Sequence, residues 1–213
     1  MADERPTPVP YDATTALIVV DVQNDFVDPG GSLYVAGGEE VPALVNAEVA
    51  AALAAGGLVV YTQDWHPPET PHFQTSGGVW PVHCVAGTWG AAFHPQLRVE
   101  GPVVQKGTGG EDGYSGFTVE DPRTGARHPT GLQGLLDEAG VTTVIVAGLA
   151  TDYCVKATAL DATANGLRTV VLRRAVRAVD LAPGDGERAF DEMRQAGVAL
   201  VGDDGEAGGS PWT

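Results

Sequence analysis

The stretch "VTTVIVAGLATDYCVKATALDATANGLRTVVLRR", residues 141–174, reads as strand, helix and strand in succession. Residues 141–148 are a short run rich in β-branched side chains, the composition of a strand buried on both faces. Val155, Ala159 and Ala162 then recur at helical spacing, and Asn165-Gly166 is a strong stop. A second apolar run follows at 168–174. Such a unit folds as a right-handed crossover between parallel strands.

The same alternation extends in both directions. Apolar runs at 15–22, 57–63, 101–106 and 197–202 bring the strands to about six. Val41, Leu44, Val45, Val49, Ala52 and Leu53 form a helical stripe that stops at Gly56-Gly57. Leu132, Leu135, Leu136 and Ala139 form another, and Ala189, Met193 and Ala196 a third. The expected fold is therefore α/β, with three layers and a mostly parallel sheet covered by helices on both faces. The segment from Trp65 to Arg98 shows no clear period.

Composition narrows the function classes. A length of 213 residues with 43% hydrophobic residues suits a single domain over 1–213, with 1–14 and 203–213 expected as mobile tails. The net charge of −16 is spread along the chain and no Lys/Arg block occurs, which disfavours nucleic-acid binding. "MADERPTPVPYDATT" lacks an apolar signal core, and the longest apolar runs are strand-sized, so the expectation is a cytoplasmic protein without a membrane segment. Two cysteines in that setting are expected as free thiols, with Cys84 a buried one.

In open parallel sheets, ligands bind beyond the carboxyl ends of the strands. Asp21, Asp64 with His66, Lys106, and the 150–154 turn carrying Cys154 all fall at such ends. Singly, each has a plainer reading: a turn cap, a solvated lysine or a small packing residue. Together they form a set with chemistry. Thr151 or Asp152 could cap a helix over Cys154, and that helix N-terminus, with Lys106, would lower the thiol pKa. Asp21 would take the thiol proton and return it to a leaving amine, while backbone N–H groups of the turn would hold an oxyanion.

A second cluster lies in "DWHPPETPHF" and "WPVHC": Asp64, His66, His72 and His83. Imidazole and carboxylate suit one divalent ion, whether zinc, iron or manganese. Asp64 and His66 are two apart on an extended strand end, hence on one side. His94 and His128 lie in other polar loops and receive no role.

Taken in order, "ALIVVDVQNDFVDPGGSL", "YTQDWHP", "WPVHCVAGTWGAAFHP", the lysine of "VVQKG", "YSGF" and "GLATDYCVKATALDA" resemble the nicotinamidase/pyrazinamidase group of the isochorismatase-like cysteine hydrolases. The resemblance runs from about residue 15 to 175. It implies an isochorismatase-like fold and hydrolysis of nicotinamide to nicotinic acid and ammonia through a cysteine thioester. It further implies Asp21, Lys106 and Cys154 as the catalytic triad, and Asp64, His66 and His72 as metal ligands, with His83 a ligand in some members. Phe26, Trp80 and Tyr114 match aromatic positions around a pyridine carboxamide substrate, the metal orienting the ring. A cis peptide is expected at Leu149-Ala150, with the N–H groups of Ala150 and Cys154 as oxyanion donors. The family includes monomers and larger assemblies, so a homo-oligomer is compatible with the resemblance.

Two departures stand out. Tyr153 precedes the nucleophile where some nicotinamidases carry His, and the loop "GTGGEDGYSGF" is Gly-rich and acidic, suiting either a mobile lid or a plain surface loop. Three alternatives stay open on the residues themselves. One is an amidase of the same superfamily acting on a carbamoyl or ureido substrate. Another is a hydrolase using metal-bound water with Cys154 as bystander. The third is a non-catalytic α/β binding protein.

Overall fold

The computed structural model describes residues 10–202, so residues 1–9 and 203–213 of the two expected tails lie outside it. Its elements in chain order are β1 (Thr15–Val20), α1 (Asn24–Val27), α2 (Val41–Ala54), β2 (Leu58–Asp64), β3 (Val103–Lys106), β4 (Thr118–Glu120), β5 (Arg127–Pro129), α3 (Leu132–Glu138), β6 (Thr143–Leu149), α4 (Lys156–Ala164), β7 (Arg168–Arg177), α5 (Asp185–Gln195) and β8 (Ala199–Val201). Six strands form one sheet in the order β3-β2-β1-β6-β7-β8, and each neighbouring pair is parallel. The three-layer α/β expectation is met.

Period-two alternation explains the layers. In the fully buried β1, Leu17 and Val19 join the core under α2, which contributes Val41, Val45, Val49 and Ala52. Ala16, Ile18 and Val20 face the opposite core, filled by Leu132 and Leu136 of α3, Ala159 and Ala162 of α4, and Ala189 and Met193 of α5. These are the stripes expected from the sequence. Before β1, Tyr11 donates to Glu48 of α2 at 2.8 Å, tying the start of the described chain to that helix. Among the described residues, no helix is long and apolar enough to cross a membrane. The antiparallel pair β4-β5 was not anticipated, because its exposed and half-exposed residues carry no apolar alternation.

The order of strands places the site. From β1 the chain winds outward to β2 and β3, then returns to β6 on the other side of β1 and continues to β7 and β8. The direction of winding therefore reverses between β1 and β6, which opens a crevice at their carboxyl ends. Gly148 lies at that point, opposite Val20. Its φ is +121°, and a Cβ there would sit 2.1 Å from the Val20 carbonyl oxygen. Gly148→Ala is expected to destabilise the protein by at least about 3 kcal/mol, since a strained backbone region and a main-chain clash combine. Urea unfolding of the variant beside the parent protein measures this.

Candidate active site and metal centre

Each strand end supplies the side chain expected of it. Asp21 follows β1 with φ +49° and no solvent exposure. Asp64 and Lys106 close β2 and β3 as register partners, and Cys154 lies just past β6. Lys106 is buried, and its Nζ donates to Asp21 Oδ2 at 2.8 Å, to Asp64 Oδ1 at 2.7 Å and to the carbonyl oxygen of Gly113. Cys154 Sγ is 3.7 Å from the same nitrogen. Thr62 Oγ1 donates to the other oxygen of Asp21 at 2.6 Å. The strand-end set thus meets around one ammonium group.

Two buried carboxylates sharing one cation cannot be equivalent. Burial opposes ionisation of Asp64, but Lys106, with help from His66 and His83, overcomes it and holds that carboxyl below its usual range. Burial dominates at Asp21, and the charge of Asp64 adds to it against Lys106, so its pKa rises to about 6. The Cys154 thiol is pushed well up, chiefly by burial, with Lys106 opposing and Asp21 and Asp64 adding to the rise. This corrects the expectation of a depressed thiol pKa. Burial outweighs the lysine, and the anticipated side-chain cap is missing. Asp152 instead accepts the N–H groups of Val179 and Asp180, at 3.0 and 2.9 Å. Residues Thr151–Val155 form a wide π-helical turn in which the Ala150 carbonyl accepts from both Tyr153 and Val155. The Leu149-Ala150 peptide is cis, as the resemblance implied.

The histidines stand on the other side of Asp64. Ring nitrogens of His66, His72 and His83 approach within 4.8 Å of one another. Asp64 Oδ2 is 3.8 Å from His66 Nε2 and 4.0 Å from His83 Nε2. Asp64 therefore joins the two halves, one oxygen on Lys106 and the other toward the imidazoles. Both nitrogens of His66 are buried without a hydrogen-bond partner. Leaving such atoms unsatisfied is costly, and three convergent imidazoles with a carboxylate are the donor set of a divalent metal. These residues fit a metal ion, and His83 stands with the others. Cys84 is buried and free, with its thiol 3.9 Å from the Gly90 carbonyl, and takes no part in the cluster.

Above the cysteine lies a pocket open to solvent. Phe26, Trp80 and Tyr114 line it, and Asp64, His72 and His83 reach it beside Cys154. Trp80 Nε1 donates to Tyr114 Oη at 2.8 Å. Tyr153 adds a wall that sequence reasoning flagged only as a departure; its ring meets Trp80 edge-on at 4.7 Å. Leu33 and Val179 complete the apolar lining, and no pattern in the sequence pointed to them. Thr62 was also missed, although its place two residues before Asp64 on β2 puts it on the same face. The Gly-rich loop is tied down across the site, through Gly113 to Lys106 and through Gly110, whose carbonyl accepts from Thr70 at 2.7 Å.

Residues 15–204 match the isochorismatase domain family. The chain belongs to the isochorismatase family. Among its relatives, the nicotinamidase/pyrazinamidase of Mycobacterium tuberculosis is 43% identical over 197 residues, covering 87% of this chain and 97% of that one. The pyrazinamidase of Pyrococcus horikoshii, solved in complex with zinc, shares 40% identity at a TM-score of 0.79, over 88% of this chain and 98% of its own. PnC1 from L. infantum, solved in complex with nicotinate, shares 38% identity at a TM-score of 0.81, over 91% and 95% of the two chains. The isochorismatase-like architecture expected from the ordered motifs is thus the observed one.

The raised pKa of Asp21 has a measurable signature. A carboxyl with a folded-state pKa of about 6, against an ordinary 3.8, keeps its proton in the native state where the unfolded chain has lost it. Its contribution to stability is full below about pH 4 and is lost as pH rises through about 6. The parent protein is expected to lose stability relative to Asp21→Asn across that window and to run parallel to it above about pH 7. Urea unfolding of both metal-free proteins tests this; parallel curves throughout would place the proton elsewhere.

Proposed function

We propose that the chain is a single-domain nicotinamidase that hydrolyses nicotinamide to nicotinic acid and ammonia through a thioester on Cys154. The observation that carries this reading is the meeting of Asp21, Lys106 and Cys154 beside an aromatic pocket that Cys154 lines together with His72 and His83 of the three-histidine cluster. A planar ring with one basic nitrogen and one carboxamide matches both the histidine cluster and the cysteine. The nicotinamidase and pyrazinamidase relatives support the same substrate class.

Asp21 accepts the Cys154 thiol proton, and the thiolate adds to the amide carbon. The N–H groups of Ala150 and Cys154 hold the developing oxyanion. Asp21 then gives its proton to the departing amine, which leaves as ammonia and yields the thioester. A water molecule, deprotonated by Asp21, adds to the thioester; nicotinic acid leaves and the thiol regains its proton. Lys106 stays charged throughout and pairs with the anion present, whether Asp21 carboxylate or thiolate. Phe26, Trp80 and Tyr114 enclose the ring and exclude water. Asp64, His66, His72 and His83 would hold one divalent ion, which when bound supplies a Lewis-acid anchor for the pyridine nitrogen. Zinc is the first metal to test, because the Pyrococcus relative was solved with it.

Ammonia release from nicotinamide by the zinc-loaded protein is the direct assay. Cys154→Ala is expected to abolish it, and Asp21→Ala to lower kcat by about 10²- to 10⁴-fold, the usual worth of a general acid-base. Release that survives in Cys154→Ala would transfer the chemistry to metal-bound water. His66→Ala should lower bound zinc and raise KM; unchanged metal content would remove His66 from the ligand set.

A further inference from the structure

We propose that Asp112 is a positioning residue for the metal centre, fixing the orientation and tautomer of His72 and so setting how firmly a divalent ion is retained. The inference rests on the metal-site reading above. Asp112 Oδ1 lies 2.6 Å from His72 Nδ1. A carboxylate only accepts, so Nδ1 is the donor and Nε2 is the nitrogen left to face a cation. His83 is oriented by a weaker version of the same device, with Nδ1 donating to the Pro81 carbonyl at 2.7 Å. His66 has no hydrogen-bond partner; its ring stacks on His72 at 4.6 Å and meets Phe73 edge-on at 5.5 Å, with Asp64 Oδ2 3.8 Å from its Nε2. His72 is therefore the one imidazole in the cluster hydrogen-bonded to a carboxylate, and it also braces its neighbour's ring. A carboxylate on the far nitrogen makes a histidine a stronger donor to a cation. Charge balance points the same way, since one oxygen of Asp64 is already engaged by Lys106.

Asp112 is itself well held. Its N–H and C=O pair with Glu120 at 2.8 and 2.9 Å. The next two residues grip the rest of the site: the Gly113 carbonyl accepts from Lys106, and Tyr114 Oη from Trp80. Three consecutive residues thus reach the imidazole cluster, the lysine and the ring wall.

Zinc affinity and zinc release to a chromophoric chelator, measured on the full chain without substrate, test the proposal. Asp112→Ala should weaken binding and speed release by about 10- to 100-fold, the usual worth of such an outer partner. Asp112→Asn keeps an accepting oxygen and loses the charge, so it should fall between Asp112→Ala and the parent; it also serves if the alanine variant fails to fold. The unfolding midpoint of the metal-free proteins separates this effect from general destabilisation. Parent-like affinity in both variants, with binding lost in His72→Ala, would overturn the role of Asp112 and leave the metal site standing. Failure of the parent protein to bind zinc, iron or manganese would overturn the metal reading and this inference with it.

Discussion

The buried ammonium of Lys106 is the interaction on which the site depends. It comes from the last residue of a four-residue edge strand and pairs in register with Asp64 on β2. Burial would drive the proton off an isolated lysine, but the carboxylates of Asp21 and Asp64 more than offset this, and the group stays charged. A buried ion pair is poor evidence of stabilisation, because desolvation consumes much of the attraction. Its consequence here is arrangement. One cation fixes two carboxylates and a backbone carbonyl around a thiol, which brings the ends of four strands to a common centre.

Topology supplies the convergence that the lysine then locks. β1 and β6 are neighbours across the reversal of winding, so Asp21 and Cys154 meet without any long loop reaching between them. The histidine side is built differently, from irregular chain between β2 and β3. There Gln23 acts as a clamp: its amide oxygen accepts from the Asp64 N–H at 2.8 Å, and its amide nitrogen donates to the carbonyls of Asp64 and Ala91. The buried carboxylate of Asp25 accepts the N–H of Cys84 at 2.7 Å, fixing the backbone beside His83. The segment is thus ordered by side chains bonding its main chain, which accounts for the missing hydrophobic period.

What the sequence disclosed follows the same division. Strands such as β1 and β6, buried on both faces, announce themselves as β-branched runs, and α2 by its stripe from Val41 to Ala52. Strand-end chemistry was legible because one rule of parallel sheets brings all such ends to one rim. Main-chain partners such as the Gly113 carbonyl leave no mark in a residue pattern, and neither does a partner supplied across 40 residues, as Asp112 is to His72. The state of the thiol was misjudged for a related reason. A helix start and a nearby lysine can be read from spacing, whereas the depth of burial that outweighs them arises only from tertiary packing.

That depth has a further consequence for proton movement. Burial raises the pKa of the Asp21 carboxyl and of the Cys154 thiol together. Proton transfer between them depends on the balance of their affinities, not on either value against bulk water. Lys106 lies 2.8 Å from Asp21 Oδ2 and 3.7 Å from Cys154 Sγ, so it faces the negative charge before and after the transfer. Moving the proton from sulfur to oxygen then shifts an anion from one side of a fixed cation to the other, with little rearrangement of the surroundings. Exposing the site would lower the thiol pKa and hydrate both anions, and each would have to shed that water to react. A neutral resting thiol is therefore the expected state of a nucleophile whose base and counter-ion are already in place.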